Sequence, residues 1–474
     1  MWKMQSCNFF ALLAFVLAAM SATTAAQTYT VLYDFGTNSG DPQSPQGHFA
    51  QARDGNLYST SPYGGNGYGT VFQLTPAGKM NVVLPFTSLN GGHGAYPVSG
   101  LTLGTDGNLY GTTISDGTDD YGTVFKITTS GKLTVLHNFT GASDGSNAVI
   151  APVQGTDGNF YGAASNGVQY YGTIYKMTTA GVLTPLYKFT GSPDDNYRYP
   201  LSLIQGSDGN FYGITPGSHG SSGMVFKITS KGKITPLHEF VGPPTEGQGP
   251  VGSLIQASDG NFYGATRGGG TGGYGTVYQM TPAGVVTILH NSYEEDVLGS
   301  DPASGPVQGT DGNFYGGTYN GGTHRAGVLY RVTSSGAYRV LYDDFTSTTG
   351  LYPDDPMIQH TNGTFYGDTN AGGTGTACLG NGCGVLYSFS MGFGPFVSFV
   401  PSQSSGKVGK SIGILGQGFT GTSAVSFNGT PATFKVVADT YLTATVPTGA
   451  TTGSVTVTTP GGTLTSNKIF RVTN

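Results

Sequence analysis

Asp157-Gly158-Asn159-Phe160-Tyr161 is one copy of a motif that returns along the chain at almost constant intervals. Asp-Gly-Asn, then Leu or Phe, then Tyr begins at Asp54, Asp106, Asp157, Asp208, Asp259 and Asp311. A degenerate copy, Asn362-Gly363-Thr364-Phe365-Tyr366, keeps the register, and successive spacings are 52, 51, 51, 51, 52 and 51 residues. A period of that size marks a repeat architecture, in which each unit is one supersecondary element that buries its faces against its neighbours.

Working outward from the motif, each unit reads as four short strands, a to d. Strand a precedes Asp-Gly, and strand b starts at the Asn-Phe/Leu-Tyr. Strand c is the Gly-Thr-Val-Phe type of segment that begins at Gly69, Gly122, Gly172, Gly223, Gly275, Gly327 and Gly384. Strand d resembles Leu133-Thr134-Val135-Leu136-His137-Asn138-Phe139. The a–b join is a tight turn in which Gly accepts positive φ and Asp bonds the local backbone, and Gly also marks the c–d join. Helical periodicity is absent from the repeats. Four antiparallel strands at this period fit propeller blades, since solenoid turns are usually shorter.

Seven a–b–c sets occur, but only six are followed by a d strand. The missing one stands at the other end of the repeats. Thr28-Tyr29-Thr30-Val31-Leu32-Tyr33-Asp34-Phe35 matches Tyr338-Arg339-Val340-Leu341-Tyr342-Asp343-Asp344-Phe345. An N-terminal strand that completes the last blade closes a ring and removes a free edge. The expectation is an all-β protein: a seven-bladed β-propeller over residues 27–392, closed by the N-terminal strand, then a small immunoglobulin-like β-sandwich over 393–474. The repeats over about residues 28–390 resemble the Gloeo/Verruco tandem repeats of exported bacterial proteins, which implies export and a surface role but no activity. The C-terminal stretch, with Ile414-Leu415-Gly416-Gln417-Gly418-Phe419 and Gly453-Ser454-Val455-Thr456-Val457-Thr458, resembles the IPT/TIG immunoglobulin-like family.

Residues 1–26 read as a secretory signal peptide: Lys3, an apolar run from Phe9 to Met20, then small residues before Gln27. Cys7 precedes that run, so it is not a lipoprotein cysteine. The expected location is secreted, extracellular or at the cell surface, with the periplasm as an alternative. Only 10% of residues are charged and the net charge is −6, which argues against nucleic acid as a partner. No later segment is apolar enough for membrane insertion, and a monomer is expected. The two cysteines left after the signal, Cys378 and Cys383, are expected to pair as a disulfide.

Up-and-down connectivity puts the a–b and c–d turns on one face and the variable b–c and d–a loops on the other. Variable loops on a constant scaffold are the usual seat of binding. The candidate ligand-binding face comprises Tyr68, Asp119, Asp120, Tyr121, Tyr170, Asp194, Asp195, Tyr197, Arg198, His219, Arg267, Tyr274, His324, Arg325, Asp354 and Asp355. Tyr beside Asp and Asn suits carbohydrate, because rings stack on sugar faces while amides and carboxylates take hydroxyls; packing of these Tyr residues between blades is the plainer account. The acidic pairs, Glu294-Glu295 among them, are candidate metal ligands or acid/base groups for glycoside cleavage. Adjacent residues in extended chain point different ways, so each pair is expected to offer one ligand, and solvated loop charge is the simpler account. Turn geometry explains the Asp-Gly-Asn copies without a cofactor; Ca²⁺ is the alternative, although no EF-type ligand set is present. His137, His238 and His290 recur at one outer-strand position and cannot share a metal, and His93 joins His219 and His324 on the variable face. No Gly-x-Ser-x-Gly elbow, His-Glu-x-x-His or phosphate loop occurs, so no catalytic residues are assigned. The leading expectation is a binding or adhesion protein whose partner is a glycan or surface protein, with the C-terminal domain as spacer or second contact. A polysaccharide hydrolase or lyase, and a purely structural module, are the alternatives.

Overall fold

The computed structural model describes residues 27–87, 92–165, 171–190, 200–217, 221–294, 297–378 and 380–473. The signal expected over residues 1–26 lies outside them. Among the described residues the regular structure is β throughout.

The repeats form seven successive antiparallel sheets, each with the strand order a-b-c-d. Sheet 1 consists of Ala50–Gln51, Leu57–Ser61, Thr70–Leu74 and Met80–Pro85. Sheets 2 to 6 repeat it, with b strands at Leu109–Thr113, Phe160–Ala164, Phe211–Thr215, Phe262–Gly269 and Phe314–Asn320. Sheet 7 takes Ile358–Gln359, Phe365–Asp368 and Val385–Ser390, and its fourth strand is Thr28–Asp34 from the N-terminus. Thr28 stands opposite Ser390 and Asp34 opposite Val385. The b and c strands carry mostly buried residues and the d strands mostly half-exposed ones, so d is the outer edge.

The repeated motif explains how the sheets lean on each other. In six copies the Asp carboxylate spends its oxygens inside the turn; in sheet 5 Asp259 Oδ1 accepts the Asn261 N–H (3.0 Å) and Oδ2 accepts the Tyr263 hydroxyl (2.7 Å). Gly260, at φ 86, makes the turn in a region where a side chain would be strained. The Tyr ring then lies against the Phe of the next sheet: Tyr110 on Phe160, Tyr161 on Phe211, Tyr212 on Phe262, Tyr263 on Phe314 and Tyr315 on Phe365, with centroids 3.7–4.6 Å apart. Motif tyrosines are therefore packing residues between sheets.

A second seam is made by glutamine. The backbone N–H after each a strand donates to the Gln side chain of the following sheet: Thr105 to Gln154, Thr156 to Gln205, Ser207 to Gln256, Ser258 to Gln308 and Thr310 to Gln359. Thr361 donates to Gln51 at 3.1 Å, which carries the seam from sheet 7 back to sheet 1. Sheet 2 has Leu103 where the others have Gln, and there the Arg53 guanidinium donates to the Thr105 carbonyl.

The other face has its own stitch. Ser44, Tyr96, Asn147, Gly249, Asp301 and Tyr352 all have φ between 47° and 64°. Each donates its N–H to the residue just before the c-strand Gly of the preceding sheet, as in Tyr96 to Tyr68 and Tyr352 to Ala326. At the closing junction Ser44 donates to Cys383, which is disulfide-bonded to Cys378.

The C-terminal segment folds as a sandwich. One sheet holds Ser398–Phe399, Ser411–Leu415, Tyr441–Thr445 and Phe434–Ala438; the other holds Thr430–Pro431, Ala424–Phe427, Val455–Thr459 and Gly462–Thr465. They enclose a core that includes Ile414, Phe427, Leu442, Val457 and Phe470. This domain packs on the tight-turn face. Thr440 Oγ1 donates to the Arg53 carbonyl (2.7 Å), and the Arg53 guanidinium lies 4.5 Å from the Tyr441 ring centre. Gln417 reaches Thr361 (2.9 Å) and Arg471 reaches the Ser207 carbonyl (3.3 Å), so its contacts touch sheets 1, 7 and 4.

Candidate functional site

The short a strands leave space along the axis, and the residues that precede them shape its mouth on the variable-loop face. A cavity of about 500 Å³ lies there, lined among others by Gln46, Val98, Val149, Ala303, Asp354 and Asp355. A larger cavity of about 620 Å³ lies on the opposite face, between the a–b turns of sheets 3 to 5 and the C-terminal domain. Its glutamines Gln205 and Gln256 are already engaged in the seam, so its polar lining has less to offer a ligand.

At the mouth, equivalent positions before the seam position read Gln46, Val98, Val149, Pro200, Val251, Ala303 and Asp354. The next reads Gly47, Ser99, Ile150, Leu201, Gly252, Ser304 and Asp355. Sheet 7 thus places two carboxyls where other sheets carry mostly small or apolar residues. Both residues line one cavity. Left-handed Tyr352 precedes the pair, which Pro353 and Pro356 flank.

A third carboxyl, Asp368, sits in strand b with 1% of its surface exposed. It stands where the other b strands have Thr60, Thr112, Ala163, Ile214, Ala265 and Gly317. Asp355 and Asp368 are close enough for each to bear on the other's ionisation. Burial first, and then neighbouring negative charge, pushes Asp355 well above the carboxylate range and Asp368 up to about 8. Asp354 is also raised by burial, against the pull of the Arg267 guanidinium and Asn370. The Arg267 guanidinium lies 5.7 Å from the Tyr319 ring centre, and Tyr319 stacks on Tyr352 (4.4 Å, 8°). Carboxyls, one guanidinium and an aromatic pair meet at this junction of sheets 5, 6 and 7.

A pH dependence follows from Asp368. A free Asp ionises near 3.8 and this one near 8, so between those values the fold holds more protons than the unfolded chain. Stability then falls as pH rises through that window. Asp368→Asn stays neutral and is expected to flatten the slope between about pH 5 and 8 and to raise the melting temperature at the upper end by a few degrees. Thermal unfolding of both proteins across that range checks it; an unchanged slope contradicts it.

The other expected residues are dispersed. Asp119, Asp120 and Tyr121 are exposed, and Asp120 accepts the Asp116 N–H (2.7 Å). Tyr68 is half-buried beside Tyr96 (6.2 Å), and the half-buried Tyr274 gives its carbonyl to Asp301. His324 pairs with Asp344 at 3.0 Å next to an outer strand, and Arg325 is exposed. Tyr170, Asp194, Asp195, Tyr197, Arg198 and His219 lie outside the described residues, as does Glu295. His137 and His238 each contact a carboxylate of their own following loop, Asp144 and Glu246, at 3.0 Å. Asp368 and Tyr319 are not among the residues expected on the variable face, whereas Tyr352 belongs to one of its expected d–a loops. The signal for Asp368 was the repeat itself, since it is the one acid in its column.

A family model described as the Gloeobacter/Verrucomicrobia repeat matches residues 18–151, 131–298 and 251–418, and one described as the IPT/TIG domain matches 396–472. No curated protein matches the chain. Among solved structures, a streptogramin B lyase is similar with a TM-score of 0.51 at 13% identity, over 78% of this chain and 99% of that one. The extracellular domain assigned to a hybrid two-component system of B. thetaiotaomicron is similar with a TM-score of 0.50 at 10% identity, over 95% of this chain and 60% of that one. At such identities the likeness is one of fold alone.

Proposed function

Because this chain belongs to the Gloeobacter/Verrucomicrobia repeat family, we propose that it is an exported binding protein whose variable face takes a carbohydrate at the axial mouth. The observation that carries this is the mouth of sheet 7: Asp354 and Asp355 line an open cavity while Arg267 and the Tyr319–Tyr352 stack adjoin Asp354. Sugars bind where hydroxyls meet carboxylate or guanidinium and where C–H faces meet a ring; here both lie side by side. Exposed Tyr63 and Tyr121 extend the aromatic character along the same face. The C-terminal domain supports the reading by occupying the tight-turn face and leaving the variable one open.

A glycan array with the full chain is expected to give saturable binding. Tyr319→Ala and Tyr352→Ala are each expected to weaken it about tenfold, a loss of ~1.4 kcal/mol. Binding that survives both substitutions would contradict the placement. Release of reducing ends from bound polysaccharide would replace the binding reading with the hydrolase or lyase one.

A further inference from the structure

We propose that the cleft between the a–b turns of sheets 3 to 5 and the C-terminal domain is a further binding site, which takes a short acidic saccharide by its carboxylate. Lys468 is the residue that would hold the carboxylate. The cleft opens on the face opposite the axial mouth and does not depend on the reading given for that mouth.

The first observation is the shape of the place. The cavity of about 620 Å³ is walled by both domains, with Gln205, Ser207 and Gln256 from the sheets and Pro401, Ser404 and Lys468 from the sandwich. Cavities of this size at a junction of domains are a common seat of small ligands. The second observation is charge. Lys468 lines the cavity, and among the described residues no carboxylate pairs with its ammonium. Asp208 is the one acid in the described lining, and its oxygens already accept the Asn210 N–H (3.0 Å), the Asn210 side-chain amide (2.7 Å) and the Tyr212 hydroxyl (2.9 Å). Arg471 adds a further positive charge to the lining while donating to the Ser207 carbonyl (3.3 Å). The Lys468 side chain is open to the cavity, yet protein on either side displaces water from it and lowers its ammonium below the ordinary lysine range. A desolvated cation without a counter-ion favours an anion beside it.

The rest of the lining shows what that anion is attached to. The seam engages Gln205 and Gln256, so the free polarity is in hydroxyls. Ser207, Ser402, Ser404 and Ser405 line the cavity, and among the described residues their hydroxyls make no hydrogen bond, which leaves them for the hydroxyls of a ligand. Ser402 takes a left-handed φ of 67° in a turn closed by the Gln403 N–H on the Val400 carbonyl (2.9 Å), which fixes this serine-bearing rim. Ile469 is 41% exposed next to Lys468 and shares the lining with Pro401, so the cleft also has an apolar wall for the C–H face of a sugar ring. Phosphate suits the site less. It favours a bidentate guanidinium, and Arg471 already gives one N–H to Ser207, whereas the point charge of Lys468 matches a single carboxylate.

The test is calorimetric titration of the full chain with a trimer of galacturonic acid and with its carboxyl-reduced, neutral counterpart, at about pH 6 where carboxylate and ammonium are both charged. The acidic form is expected to bind at least about tenfold more tightly, a gap of ~1.4 kcal/mol. Lys468→Met is expected to abolish that preference and Lys468→Arg to keep it. Lys132→Met, which removes an exposed lysine from another tight turn of the same face, is expected to leave it unchanged. Thermal unfolding confirms that each variant is folded. Should Lys468→Met not fold, raised salt serves in its place and is expected to weaken the acidic form selectively. Equal affinity for both forms, a preference that survives Lys468→Met, or no binding of either form would overturn the inference. Displacement of the trimer by inorganic phosphate at equal concentration would overturn the carboxylate assignment. Each of these results leaves the axial mouth to its own test, since no residue of the cleft belongs to it.

Discussion

Removing residues 28–35 from the mature chain is expected to lower the melting temperature by more than about 10 °C, or to prevent folding. Six backbone pairings to Val385–Ser390 would be lost, and sheet 7 would end in an open edge. The side chains bind across both neighbouring seams. Tyr29 stacks on Tyr342 of sheet 6 (4.1 Å, 9°), and Phe35, fully buried, meets Phe72 of sheet 1 edge-on at 5.5 Å. The strand is therefore a wedge between the last two sheets and the first. Phe35→Ala provides the gentler version: a fully buried ring removed at the seam should cost about 3–5 kcal/mol. Denaturant unfolding checks both; a truncated chain as stable as the intact one would contradict ring closure.

Tyr263→Ala should be comparably damaging at a site remote from closure, costing about 3–5 kcal/mol. Tyr263 has no exposed surface and stacks on Phe314 at 3.7 Å, while its hydroxyl donates to Asp259 and accepts from Gln279. Tyr263→Phe keeps the ring and loses the hydroxyl, leaving Asp259 Oδ2 short of a donor, and is expected to cost about 1–2 kcal/mol. Tyr121→Ala, on an exposed ring, should shift stability by less than about 0.5 kcal/mol. Chemical denaturation of the three variants separates packing tyrosines from surface ones. A loss below about 1 kcal/mol for Tyr263→Ala would mean that the stacked seam does not hold the sheets.

Much of the ring is legible in the sequence because it repeats. The match of Thr28–Asp34 to the d strand at Tyr338–Tyr342 identifies the strand that completes sheet 7 before any coordinate is known. Gln51, Gln154, Gln205, Gln256, Gln308 and Gln359 also recur, but their role appears only in space, because each bonds a backbone N–H about 50 residues away along the ring or across its closure. The docking of the C-terminal domain is equally silent in the sequence: Thr440, Gln417 and Arg53 are ordinary surface residues until the turns of sheets 1 and 7 meet them.

The candidate site is half legible for a definite reason. Asp354 and Asp355 are visible as a pair, but the cavity that both line exists only in space, and left-handed Tyr352 before them donates its N–H to Ala326. Asp368 looks like any strand polar residue until its column of Thr, Ala, Ile and Gly is set beside it. Tyr319 and Tyr352 belong to different sheets and meet only when sheets 6 and 7 are adjacent.

The most direct test of the closed ring, on which the two opposed faces and the mouth depend, is amide hydrogen exchange of the intact protein. Residues 28–34 should be protected to the same degree as 385–390, their partner strand, and should exchange together with it under increasing denaturant. Exchange of 28–34 at the rate of a free tail, while 385–390 stays protected, would contradict the account.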